Sequence, residues 1–405
     1  MKATMISAHQ FSLCRMILAV YLCVHFLGLF PVGVELFSAQ GMITDPALLP
    51  SWGKLPNLFW ISDAPQMVYF VLGLGVCLSI LLGLGWQRRW VSLVLWLIWM
   101  SLFNRNILIS NPSIPYIGLL LLVLAALPTG EPFARKAPSL GWQIPNWVAW
   151  GLLISLMGGY TASGLHKLTS PSWVDGTALQ HVLNLPLGRN YFLRTWMLES
   201  PGFLLKGMTW TALGLEILAL PLSLIRPARK WIWLALLLMN CVILLVIDFA
   251  DLSLGIVVMH LFCFDRSWLS PVKMSTEHPV VYFDGVCGLC NHLVDFTIAE
   301  DLEERFHFAT IQGESAKEIN IESVQSGESM ALKDGDTIYT QSDAVLMLVG
   351  GLGGLWRVFS MFCFVFPRVI RNAVYFQVQK RRYNIFGEHE TCRIPTAAER
   401  ARFLP

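Results

Sequence analysis

Hydrophobic and polar positions divide this chain into two unlike parts. Apolar residues fill 11–264 in long runs separated by short polar turns, whereas Lys273–Gln341 mixes them with charged residues as a soluble domain does. The runs predict about eight membrane helices, at roughly 12–30, 66–85, 90–109, 113–128, 147–167, 204–225, 231–248 and 252–265. Several hold nearer about 14 apolar residues than the ~20 of a perpendicular crossing, so short or re-entrant segments belong to the expectation.

Beyond Lys273 the period changes. Val280–Phe283 is a short apolar run, read as a buried strand, and Asp284-Gly285 ends it. Cys287 and Cys290 follow at C-x-x-C spacing, and Leu289, Leu293 and Phe296 then recur at helical spacing. Both cysteines are expected on the first turn of a helix, Cys287 the more exposed. Arg305–Gln312 alternates as a half-buried strand, and Met330–Lys333 and Thr337–Thr340 flank Asp334-Gly335-Asp336 as a hairpin. Ser342-Asp343 caps a helix that ends near Gly350-Gly351. This order, strand, C-x-x-C helix, strand, hairpin, helix, is that of a thioredoxin-like α/β fold. One departure stands out: Gly327-Glu328-Ser329-Met330 has no proline where such enzymes face one to their disulfide. Leu355–Phe366 is nearly all apolar, and the helical stretch after Pro367 carries Arg368, Arg371, Lys380, Arg381 and Arg382. That stretch reads either as a core helix with a solvated basic face or as an interfacial helix on an anionic leaflet.

Composition agrees with the division. The 405 residues are 55% hydrophobic and 14% charged, and the mean hydropathy is +0.56, which excludes a wholly soluble globular chain. The expected organisation is a multi-pass membrane domain over 1–268, a linker over 269–279 and a thioredoxin-like domain over 280–405. A net charge of +2 gives no reason to expect a nucleic-acid partner. Of the nine cysteines, Cys14, Cys23, Cys77, Cys241 and Cys263 lie in apolar runs as small buried hydrophobes. No cleavable signal peptide is expected, because the first apolar stretch is long and further spans follow. Threading eight spans alternately puts Arg88-Arg89, Arg135-Lys136, Arg226, Arg229, Lys230 and Arg266 on one side, with Lys2 and Arg15. By the positive-inside rule that side is the cytoplasm, with both termini there and the protein in the inner membrane.

The C-x-x-C pair carries the clearest chemistry. Unpaired N–H groups and the dipole at a helix start favour a thiolate, and two intervening residues bring both sulfurs within reach of a disulfide. The surrounding residues resemble the thiol-disulfide oxidoreductase DCC family, whose Asp-Cys-Cys motif is Asp284, Cys287 and Cys290 here. Tyr375, Arg382-Tyr383, Gly387, Cys392, Pro395 and Arg402-Phe403 stand where that family places similar residues. The resemblance implies thiol-disulfide exchange on an unknown protein or small molecule, with no cofactor required. Cys287 would attack, Cys290 would resolve, and Asp284 would tune proton transfer or hold the turn. In a reducing cytoplasm the pair would rest as a dithiol and act as a reductant. A zinc site completed by His292, His389 and Cys392 is the competing use of the same cysteines; redox chemistry is preferred and no metal is expected.

A second stretch, Tyr160–Gly176, resembles the HTTM family, which includes the vitamin K-dependent γ-carboxylases. The match lies in Ser163-Gly164, Lys167-Leu168 and Trp173–Gly176, with Arg15 and Asn104/Asn106 fitting loosely. It implies Lys167 as a base and a quinone in the membrane domain; snorkelling of a span-ending lysine is the simpler reading. Glu216 lies in mid-span, where an ionisable group needs a partner or a cavity, and Arg15, His25 and His166 are its candidates. Three functions follow in order: a membrane thiol-disulfide oxidoreductase, a quinone-linked carboxylase- or epoxidase-like enzyme, and a non-enzymatic transporter or scaffold.

Overall fold

The computed structural model describes residues 5–49, 52–135, 142–248, 250–319, 321–390, 395–397 and 399–405. It divides into two compact units, Ile6–Phe264 and Asp265–Pro405, the second including Met5.

In the first unit every apolar stretch is helical: α1 (Ala8–Leu29), α2 (Pro65–Gly83), α3 (Arg88–Arg105), α4 (Ser113–Ala126), α5 (Asn146–Lys167), α6 (Gly202–Leu224), α7 (Arg226–Val246) and α8 (Ala250–Phe262). Among the described residues five of these, α1, α2, α5, α6 and α7, are long and apolar enough to cross a membrane. The other three fall short for physical reasons. Helix α3 carries Arg88, Arg89 and Arg105, while α4 and α8 have 14 and 13 residues. That is about 20 Å of helix against a ~30 Å hydrocarbon core. Large apolar side chains stand exposed on these helices: Val20 is 64% exposed, Phe70 62% and Phe203 72%, which is compatible with a membrane protein.

Small residues set the helix contacts. A Cβ on Gly75 of α2 would lie 2.9 Å from the Phe26 ring, and one on Gly164 of α5 would lie 2.8 Å from the Ile217 amide of α6. Pro221 inside α6 has no N–H for the Ile217 carbonyl, and the Thr161 hydroxyl of α5 donates to that carbonyl at 3.2 Å instead. Two arginines counted above as loop cations are interior. Arg15 and Arg88 are both buried around Glu131, with Nε–carboxylate distances of 3.7 and 2.7 Å. Arg88 also donates to the carbonyls of Leu124, Leu127 and Pro128. Chain folding back after α4 brings these groups together, which position along the sequence does not display.

The second unit holds a four-stranded sheet. Its strands are β1 (Val280–Phe283), β2 (His307–Thr310), β3 (Ala331–Asp334) and β4 (Thr337–Thr340), in the order β2-β1-β3-β4. β1 pairs parallel with β2 and antiparallel with β3, and β3 and β4 form the hairpin. Helix α9 (Gly288–Glu300) links β1 to β2, and α10 (Gln341–Gly350) follows β4. The predicted order of strand, helix, strand, hairpin and helix is therefore the observed one. Alternate residues of β1 serve two cores. Val281 and Phe283 pack with Phe306, Phe308, Leu332 and Leu348, while Tyr282 packs with Ala309, Ile319 and Val324. Two further helices, α11 (Gly354–Phe364) and α12 (Arg368–Phe386), meet at a bend of 115° across Pro367. Their elbow is strongly apolar and exposed: Phe362 is 63%, Val365 79% and Val369 81% accessible. The C-terminus returns to the sheet, where Arg402 donates to Asp301 at 2.6 Å and the Leu404 amide to the Phe308 carbonyl at 2.8 Å.

Candidate functional site

The end of β1 delivers Asp284 into a tight turn. Its side chain accepts four hydrogen bonds: from the Gln312 amide at 2.9 Å, the Val286 N–H at 3.3 Å, Arg382 at 3.1 Å and the Tyr383 hydroxyl at 2.6 Å. Asn291 holds the turn from the other side through the Gly285 carbonyl at 3.0 Å. Asp284 is thus a turn anchor paired with a cation, its lone pairs largely occupied. Arg382 was grouped above with a solvated basic face. It is instead buried, and it also donates to the Gly327 carbonyl at 2.8 Å and to the Tyr383 hydroxyl at 2.7 Å.

Cys287 is the N-cap of α9, and its sulfur accepts from the Cys290 amide at 3.4 Å. The helix-start expectation holds, but the expected exposure does not. Cys287 is 0% exposed, whereas Cys290 is partly open. The cause is a strap of backbone just after α12. Gly288 N–H donates to the Gly387 carbonyl at 3.2 Å, His389 N–H donates to the Val286 carbonyl at 2.8 Å, and Cys287 bridges to Glu388. Two glycines make the strap fit. A Cβ on Gly288 would collide with the Phe386 carbonyl, and Gly387 has φ +80°.

The two thiols are driven apart electrostatically. Cys287 is lowered from about 9 to about 6, chiefly by a hydrogen bond from the Cys290 thiol, with help from the Cys290 amide and the Arg382 charge, against burial and Asp284. Cys290 is pushed up because it donates that bond and is itself largely desolvated. One sulfur holds the charge and the other holds the proton.

The segment facing the pair is closed internally. Met330 N–H donates to the Tyr375 hydroxyl at 3.1 Å, and Ser329 N–H donates to the Ser323 carbonyl at 2.7 Å. Tyr375, Arg382-Tyr383 and Gly387 thus each act on the C-x-x-C turn or the segment opposite it. Cys392 lies outside the described residues. Among the described residues no group of three metal-ligating side chains gathers.

In the helical unit Lys167 and Glu216 meet. The ammonium lies 2.5 and 2.6 Å from the two carboxylate oxygens and 4.4 Å from the Trp173 ring centroid. The Ser163 hydroxyl adds a bond to Glu216 at 3.2 Å. The partner of Glu216 is therefore Lys167. Arg15 is tied to Glu131, and His166 is exposed. Close packing at Gly164 sets this pairing, one helical turn before Lys167. A cavity of about 360 Å³ in the same unit is lined by Tyr21, His25, Phe103 and Asn111, with neither Lys167 nor Glu216 in its wall.

Glu131, Gln312, Ser329 and the role of Arg382 were not legible from the sequence; an Arg-Tyr pair at the end of a helix was the only visible sign.

Residues 281–388 match a family described as DCC1-like thiol-disulfide oxidoreductase. The uncharacterized protein YuxK of Bacillus subtilis (strain 168) is 35% identical over 130 residues, which are 31% of this chain and 93% of YuxK. A chloroplastic DCC family protein of Arabidopsis thaliana is 29% identical over 121 residues, 29% of this chain and 70% of that protein. No solved structure matches the chain.

Proposed function

Because this chain belongs, through its C-terminal domain, to the DCC1-like thiol-disulfide oxidoreductase family, we propose that it is a membrane-anchored oxidoreductase of thioredoxin-like fold. In this reading Cys290 meets the substrate sulfur and Cys287 stores the thiolate. The observation that carries it is the asymmetry of the pair: the buried sulfur is the acidic one, and the reachable sulfur keeps its proton.

In the reducing direction the exchange takes two steps. Cys290 attacks a substrate disulfide as its proton passes along the hydrogen bond to Cys287. The substrate S–S bond breaks, a mixed disulfide forms at Cys290, and one substrate thiolate leaves. Cys287 releases that proton to solvent and, as a thiolate favoured by the Cys290 amide and the Arg382 charge, attacks the Cys290 sulfur and expels the second substrate thiolate. A low-pKa thiol is also a good leaving group, so the reverse sequence oxidises a substrate dithiol. Arg382 favours the thiolate, and Asp284 acts through Arg382 as a positioning residue.

The helical unit, HTTM-like in its Ser163-Gly164 and Lys167 motif, would anchor the domain in the bilayer. With an even number of crossings the cations Arg89, Arg226, Arg229 and Lys230 share a face with the C-terminal domain, and the positive-inside rule makes that face the cytoplasm, where thiols are kept reduced. Five crossings would put the domain on the opposite face. The apolar elbow of α11 and α12, beside Arg368 and Arg381, suits the anionic inner leaflet.

Trapping in sealed vesicles tests roles and sidedness together. An impermeant aromatic disulfide is offered to Cys287→Ser and Cys290→Ser proteins in right-side-out and inside-out vesicles, with the double variant as blank. A stable adduct is expected on Cys287→Ser alone, and from inside-out vesicles alone. An adduct on Cys290→Ser would reverse the roles, and one from right-side-out vesicles would reverse the topology.

A further inference from the structure

Cys290 opens onto a groove of about 560 Å³, within the size of small-ligand sites, cut between α9, α10, α11 and α12. Leu293, Val345, Phe359, Ile370 and Val374 line it, so its wall is almost wholly hydrocarbon. The two arginines in the lining are spoken for: Arg371 lies 2.5 Å from Asp343 and Arg382 lies 3.1 Å from Asp284. Main-chain donors beside Cys290 are likewise taken, Met330 N–H by Tyr375 and Ser329 N–H by Ser323, and the Ser329 hydroxyl donates to the Met330 carbonyl at 2.8 Å.

These facts discriminate between substrates. A peptide that docks through its backbone needs unpaired N–H and C=O groups, and this segment offers its two amides to its own chain. A multiply charged thiol needs counter-ions, and the cations of the lining are already neutralised. A hydrocarbon group loses nothing on entry and gains about 0.8 kcal/mol per buried methylene, or roughly three- to four-fold in affinity.

We propose that the sulfur exchanged at Cys290 belongs to a small, largely hydrocarbon thiol or disulfide whose aliphatic or aromatic group occupies this groove. The assignment rests on the exchange reaction proposed above and names its substrate class. With a disulfide R–S–S–R, a Cys290–S–R bond forms as the R–S–S–R bond breaks and one R–S⁻ leaves and is protonated by solvent. The Cys287–Cys290 disulfide then forms as the second R–S⁻ departs. Two electrons pass from the cysteine pair to the substrate.

The test uses the full-length protein in detergent micelles with the pair reduced. Its oxidation is followed against dimethyl to dihexyl disulfides and against oxidised glutathione, each rate being referred to the free concentration outside the micelle. The expected second-order rate constant rises about three-fold or more per methylene, with oxidised glutathione the slowest. Val374→Trp, which fills the groove, is expected to flatten the series; thermal melting checks that the variant is folded. A flat series in the unaltered protein overturns the assignment. So does a slope that survives Val374→Trp, or oxidised glutathione reacting fastest, while the exchange reaction itself stands in all three cases. If none of these disulfides oxidises the pair, the exchange reaction fails, and the groove assignment with it.

Discussion

Each unit of this protein brings an acid and a base together from well-separated parts of the chain, but the two pairs keep different company. Lys167 and Glu216 join neighbouring helices where Gly164 allows close approach, and Lys167 remains 25% exposed beside Trp173. Asp284 and Arg382 come from positions 98 residues apart, are nearly sealed, and border a thiol that they bias. The first pair reads as a clamp between helices. The second is a clamp whose charges also bias a neighbouring thiol. What separates the two pairs is the depth of each and what its electric field reaches, since the pairing of acid and base is common to both.

The largest expected effect breaks the second pair. Arg382→Met leaves Asp284 buried without its cation and should destabilise the C-terminal domain by about 3–5 kcal/mol. It should also move the Cys287 titration upward, because a favourable charge is lost. Melting and ultraviolet thiolate absorbance of one preparation report both. Loss of stability with an unmoved titration would reduce Arg382 to a structural role.

Lys167→Met makes the corresponding break in the helical unit. Solvent reaches the lysine, so the expected loss is smaller, about 1–3 kcal/mol, read as thermal inactivation in micelles. The thiolate titration should stay where it was. A shift there would show that the two pairs are coupled, and the contrast drawn above would fail.

The smallest effect is the most diagnostic of the site. Thiolate absorbance of the unaltered protein should rise with a midpoint near pH 6, where Cys287 ionises. The sign for stability follows from linkage. The folded pKa lies below the unfolded value, so Cys287 contributes fully above about pH 8.5 and its contribution is lost as pH falls through 6. Cys290 is raised, so its contribution is present below the unfolded value and is lost at higher pH. The two oppose each other, and spectroscopic titration resolves the pair better than melting does. A first step near pH 8.5 would mean that neither cysteine is perturbed.

Much of the architecture was legible because it is locally encoded. Val280–Phe283, Asp284-Gly285 and the 3.6-residue spacing of Leu289, Leu293 and Phe296 suffice for a strand, a turn and a helix with its cysteines at the start. The long apolar runs likewise mark helices wherever a chain must satisfy its own backbone away from water. Run length does not by itself fix the number of crossings: among the described residues five of the eight helices are long and apolar enough, while α3 carries arginines at both ends and α4 and α8 are short.

The sequence by itself therefore determined element type, element order, the division into two units and the place of the C-x-x-C pair at a helix start. Tertiary structure alone decided which cysteine faces outward, because the Phe386–His389 strap covers Cys287. It also decided that Arg382 belongs to Asp284, that Lys167 belongs to Glu216, and that an apolar groove ends at Cys290. The physical reason is one of range. Hydrophobic period and turn chemistry act over a few residues, and a sequence displays them directly. Partnership between distant side chains depends on which surfaces pack together, and that is settled only when the whole chain has found its contacts.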